Sequence, residues 1–136
     1  MKRIVVVLQC ILCMLLCSCG EDRTDYYEER ISSYEAVAQY ALQHYASSDG
    51  SRMCVLLSDI TDEGLSQSIS VAEETFTYIW IENNSVIFWN DEMKQLGLVY
   101  SDNAKSTMKD IEEWYDDLEK EKVNNNCYLI GQLNGI

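Results

Sequence analysis

His44, the chain's one histidine, lies shortly before a cysteine, Cys54. Cysteine catalysis needs the thiol beside a base, and a third group to orient that base. Cys54 sits in the apolar run Met53-Cys54-Val55-Leu56-Leu57, a setting that does not activate a thiol. His44 falls on the polar side of its helix, beside Gln43. Both features argue against a Cys54/His44 hydrolase, and no GxSxG elbow is present. Asp59, Asp62 and Glu63 gather ahead of Gly64 and offer oxygen ligands for a hard cation. Their spacing is not that of an EF-hand loop. Among 23 Asp and Glu no spacing singles out a glycosidase pair. No catalytic residue, metal site or cofactor is therefore assigned from sequence.

Aromatic residues make the most concrete binding candidate. Thr75 to Ile81 and Ser85 to Asn90 are rich in β-branched and aromatic residues, with Asn83-Asn84 between them. Two asparagines tolerate the positive φ of a tight hairpin. A two-residue turn sets Trp80 opposite Ile87 and Tyr78 opposite Trp89. One face then carries Phe76, Tyr78, Trp80, Ile87 and Trp89, and the other Ile79, Ile81, Val86 and Phe88. A sheet apolar on both sides needs two covers, or it uses one face for binding. Phe76, Tyr78, Trp80 and Trp89 are the candidate binding face, for wall glycan or an extended peptide. The competing reading is that the same four residues are core under a helix.

Other elements must position these strands. Ser32-Ser33-Tyr34-Glu35 has the form of a capping box, and Ile31, Tyr34, Val37, Ala38, Ala41, Leu42 and Tyr45 recur at helical spacing. This predicts a helix over 33–47, stopped by Asp49-Gly50. Met53 to Leu57 predicts a buried strand. Asp59 to Glu74 reads as a loop with a short helical turn. Gln95 to Tyr100 predicts a third strand of the meander, in which Gly97 marks a bulge or a close approach. Met108, Ile111, Trp114, Tyr115 and Leu118 give the buried stripe of a second helix, expected over 104–122 with an acidic outer face. Cys127 to Leu133 predicts a last strand. The expected fold is α+β: two helices on a four- or five-stranded, mainly antiparallel sheet.

Charge narrows the partners. The chain has 136 residues and a formal net charge of −13. All the acids lie beyond residue 20, whereas Lys2 and Arg3 lie before it. So acidic a chain must overcome phosphate repulsion to bind nucleic acid, and that class is set aside. Basic proteins, peptides or metal cations suit its charge better, and an envelope protein or wall polymer is the partner expected.

Residues 1–20, MKRIVVVLQCILCMLLCSCG, open with two cations and an apolar run too short for a convincing membrane span. The run closes on Leu16-Cys17-Ser18-Cys19, which resembles a bacterial lipobox. The resemblance implies cleavage between Ser18 and Cys19 and lipidation of the Cys19 thiol. Residues 1–18 would then be a lipoprotein signal peptide and 19–30 a lipidated start with a charged tether. Residues 31–136 would form one domain, held to a membrane on its non-cytoplasmic side. Beyond the signal and Cys19 only Cys54 and Cys127 remain. In an oxidising compartment they could form one disulfide, contributing about 4 kcal/mol in the loop-entropy account, or stay as buried thiols. The expected function is a non-enzymatic, lipid-anchored binding module of the cell envelope. The alternative is an envelope hydrolase using acidic residues or the Cys54/His44 pair.

Overall fold

The computed structural model describes residues 23–90, 96–115 and 117–131. The lipobox with Cys19, the turn after Asn90 and the expected strand residues past Gly131 lie outside them. Within the described residues the chain is α+β, with four α-helices and one six-stranded antiparallel sheet. Both counts exceed the expectation from sequence.

The first two helices run almost continuously. Helix α1 (Arg23–Glu28) occupies what the sequence suggested was a tether, and buries Tyr27. Arg23 pairs with Glu121 at 3.4 Å, tying α1 to the far sheet edge. Helix α2 (Ile31–His44) starts ahead of the expected serine cap, and no side chain caps it. The Arg30 carbonyl, at the end of the α1 turn, accepts from the Ser33 and Tyr34 N–H groups. These early donors of α2 are satisfied without a capping box.

Strand β1 (Met53–Leu56) follows. Two short 3-10 turns then lead into α3 (Ser66–Glu73), where a loop was expected. Leu65, Ile69 and Ala72 are spaced four and three apart, so this segment does carry a helical apolar stripe, with Ile69 and Ala72 buried.

Strands β2 (Tyr78–Glu82), β3 (Ser85–Trp89) and β4 (Leu96–Ser101) form the meander. The register agrees with the expectation: Trp80 opposes Ile87 and Tyr78 opposes Trp89. Asn83 takes φ +51° at the turn, a conformation asparagine tolerates. Gly97 sits in unbroken register opposite Trp89, and a Cβ there would fall 2.8 Å from the indole ring. It is a close approach, not a bulge.

Helix α4 (Ala104–Trp114) ends well before Lys122. Asp117, at φ +57°, lies between it and strand β5 (Glu119–Asn124), which pairs with β6 (Cys127–Gly131). Sheet order is β1-β2-β3-β4-β6-β5. Residues 119–122 read Glu-Lys-Glu-Lys, and charge alternating with period two fits a half-exposed edge strand.

Both sheet faces are covered. One lies under α1, α2 and α3, where Ile79, Ile81, Val86, Phe88, Leu98 and Leu129 meet the helices. The other lies under α4 alone, where Trp80, Ile87, Trp89, Val99 and Ile130 meet Met108 and Ile111.

Candidate functional site

The expected aromatic face is not one surface. Trp80, Trp89 and Tyr78 share the face under α4 and are buried, Trp89 to 1% exposure and Trp80 to 8%. Phe76 lies on the opposite side, packed on Tyr34 and Phe88 at centroid distances of 5.7 Å. The alternation of the strand does not reach it. Its N–H bonds to the Ala72 carbonyl, so Phe76 still belongs to the exit of α3. These four residues are core.

The other sequence candidates do not assemble. Opposite residues of an antiparallel pair share a face, so Cys54, paired with Trp80, lies on the α4 side. His44 ends α2 on the other side, stacked on Tyr40 with Nδ1 3.0 Å from the Tyr40 carbonyl oxygen. The sheet separates the Cys54/His44 pair. Cys54 and Cys127 are both free. Four strand intervals separate them, about 19 Å at normal spacing, against the roughly 7 Å limit for a disulfide. They also face opposite sides, Cys127 pairing with Tyr100 on the face under α2. Cys54 is exposed, whereas burial pushes the Cys127 thiol up to about 12. Among the described residues no group of three or more His, Cys, Asp and Glu is placed to hold a metal ion, including Asp59, Asp62 and Glu63.

What the structure does assemble is a cleft of about 610 Å³ at one end of the sheet. It lies between the β2–β3 turn, the β4–α4 turn and the end of α2. Glu82, Asn83, Asn84, Asp102, Asn103 and Asp110 line it with carboxylates and amides, and Trp114 stands at the rim. The indole is 49% exposed.

Local contacts hold this geometry. Ser101, nearly fully buried, accepts from the Asn103 N–H at 3.2 Å and from the Thr107 hydroxyl at 2.9 Å. Its hydroxyl closes a tight turn ahead of α4, which has no side-chain cap of its own, and ties the β4–α4 turn to the first turns of the helix. On the opposite wall Arg52 donates to Glu82 from Nε at 3.0 Å, and its Nη2 lies 2.9 Å from the same oxygen. Its guanidinium also covers Trp80 at 4.1 Å and reaches Trp114 at 5.4 Å. One arginine thus braces both the carboxylate and the rim indole. Asp102 and Asp110 line the cleft and are exposed.

The rim position of Trp114 follows from helix geometry. Ala104, Met108 and Ile111 point to the sheet. Thr107, Asp110 and Trp114 recur at three and four residues on one flank, and Lys105, Lys109 and Glu112 on the other. Sequence reasoning placed Trp114 in the buried stripe because it lies three residues from Ile111. The helix ends there, and the ring is left half exposed.

Comparison with protein-family models, curated proteins and solved structures finds no match to this chain.

Proposed function

We propose that this is a lipid-anchored, non-enzymatic envelope module that binds a neutral, hydroxyl- and amide-rich ligand, such as wall glycan, in the cleft beside Trp114. The observation that carries the reading is the exposed indole standing over carboxylates and side-chain amides. The C–H faces of sugar rings pack on aromatic rings, and sugar hydroxyls need both donors and acceptors. Asn83, Asn84 and Asn103 offer both, and Asp102 and Asp110 accept. A cleft of this size suits one or two sugar rings.

The lipobox supplies the address. Two or three acyl chains hold a protein durably, where one is marginal. Helix α1 begins only four residues after Cys19 and is tied to the fold through Tyr27 and Arg23. The domain therefore stays close to the bilayer, which raises its effective concentration for wall polymer nearby. The Cys54/His44 version of the hydrolase alternative loses support from the separation of the two residues across the sheet.

Two measurements test the proposal. Labelled palmitate should enter the wild-type protein and not a Cys19→Ala variant. The lipidated chain in neutral detergent should co-sediment with purified wall glycan, and Trp114→Ser should abolish this at unchanged melting temperature. Equal co-sedimentation of the two, or none by the wild type, would overturn the glycan reading.

A further inference from the structure

The other flank of α4 carries the opposite charge. Lys105, Lys109, Lys120 and Lys122 line a groove of about 740 Å³ with Met108 and Tyr128. They are all the lysines among the described residues of a chain with net charge −13. All four are exposed.

Two independent periodicities bring them together. Lys105 and Lys109 are four apart on α4 and share its flank. Lys120 and Lys122 are two apart on β5 and share a face. Their partners across β6 are Ile130 and Tyr128, on the α4 side of the sheet. The groove is thus a pair of lysines on a helix facing a pair on a strand. Glu112 is the carboxylate that lines it, paired with Lys120. Among the described residues no carboxylate forms an ion pair with Lys105, Lys109 or Lys122. With Lys120 paired to Glu112, the other three lysines gather without an ion pair, which opposes folding, and an acidic protein had ample means to neutralise them.

We propose that this groove binds an anion carrying two or more phosphate groups, a polyphosphate chain or the phosphodiesters of lipid headgroups. Spacings of about 6 to 7 Å between neighbouring lysines, set by helix and strand geometry, match successive charges of an extended phosphate ligand better than one small anion. Lysine acts on phosphate as a point charge and tolerates varied approach. The acidic remainder of the protein does not prevent this. At physiological ionic strength fields decay over about 8 Å, so the four lysines, offset by Glu112 alone among the groove's lining residues, govern what the groove attracts.

The groove is separate from the glycan cleft and does not depend on it. The full chain in neutral detergent is titrated with tripolyphosphate and with orthophosphate. Tripolyphosphate should bind more tightly, and Lys109→Gln with Lys122→Gln should weaken it about tenfold or more, with binding falling as salt rises. The Lys109→Arg, Lys122→Arg pair keeps the charge and should retain binding. The same chain is then reconstituted in phosphatidylcholine vesicles with and without phosphatidylglycerol, and its lysines are acetylated. Protection of these four only with phosphatidylglycerol would assign a lipid headgroup as the source. Tripolyphosphate binding without that protection would assign a soluble phosphate polymer. Binding unchanged in the glutamine variant, or no binding with equal acetylation on both vesicles, would overturn the proposal.

Discussion

On one side of the sheet Tyr34, Phe76 and Phe88 meet ring to ring beneath three helices. On the other, Trp80 and Trp89 meet at 5.5 Å beneath one helix. Both faces are apolar and both are buried, yet the two clefts described above flank the single-helix cover, whereas the three-helix side carries a smaller hollow of about 320 Å³ along α1. A single helix cannot span six strands, so α4 leaves a flank open to either hand. One flank holds the amide-rich cleft with Trp114, the other the lysine groove. The closed face holds the fold together, and the single-helix face leaves room to bind.

The largest effect that tests this contrast comes from the closed face. Phe88→Ala, at a fully buried ring between Tyr34 and Phe76, should cost about 3–5 kcal/mol in urea unfolding. A smaller loss would mean that the three helices can close over the cavity. Next comes the packed floor of the single-helix face. Gly97→Ala drives a methyl into the Trp89 ring, 2.8 Å away, and meets Ile130 at 3.1 Å. Both neighbours are fully enclosed, so about 1–3 kcal/mol should be lost. If Gly97→Ala is neutral, the floor beneath α4 is loosely packed and the division between the faces weakens.

The cysteines carry the same contrast into chemistry. Iodoacetamide should modify Cys54 in the native protein and Cys127 only after unfolding, as peptide mass spectrometry would show. The buried Cys127 thiol, pushed up to about 12, also adds an alkaline limit. Below pH 9 the thiol is neutral in folded and unfolded chains alike, and its preference for the neutral form costs nothing. Between about 9 and 12 the unfolded chain releases the proton and the native one keeps it, so stability falls with rising pH. Cys127→Val should flatten part of that fall in a pH series of melting temperatures.

How much of this was legible in the sequence depends on how far each pattern runs. The Trp80–Ile87 and Tyr78–Trp89 register followed from turn length, since a two-residue loop leaves one pairing. The same alternation failed at Phe76, because pleating holds only while the backbone is extended, and Phe76 still closes α3. The α4 reading overran for a related reason. A row of acids looks like a helix's solvent face whatever its period, and the Glu119-Lys120-Glu121-Lys122 alternation marks a strand. Restoring that strand would have put Lys120 and Lys122 on one face, the nearest the sequence came to showing the groove. The cleft had no such signal. Asn83, Asp102 and Asp110 come from three separate segments, and only sheet order brings the β2–β3 turn beside α4. The disulfide expectation failed on that same long-range information.

The smallest expected stability effect bears most directly on function. Trp114 is 49% exposed, and the Arg52 guanidinium lies 5.4 Å from its ring. Arg52 keeps both of its contacts with the one Glu82 oxygen and its place over Trp80 without the rim indole. Trp114→Ser should therefore change stability by less than about 1 kcal/mol. Trp80→Ser, at 8% exposure in the floor of the same face, should cost several times more. The two substitutions separate cover from core within one aromatic set. Should Trp114→Ser destabilise the protein as much as Trp80→Ser, the rim indole is structural. The cleft would then lose the one aromatic platform among its lining residues, and the distinction between a closed face and a binding face would fall with it.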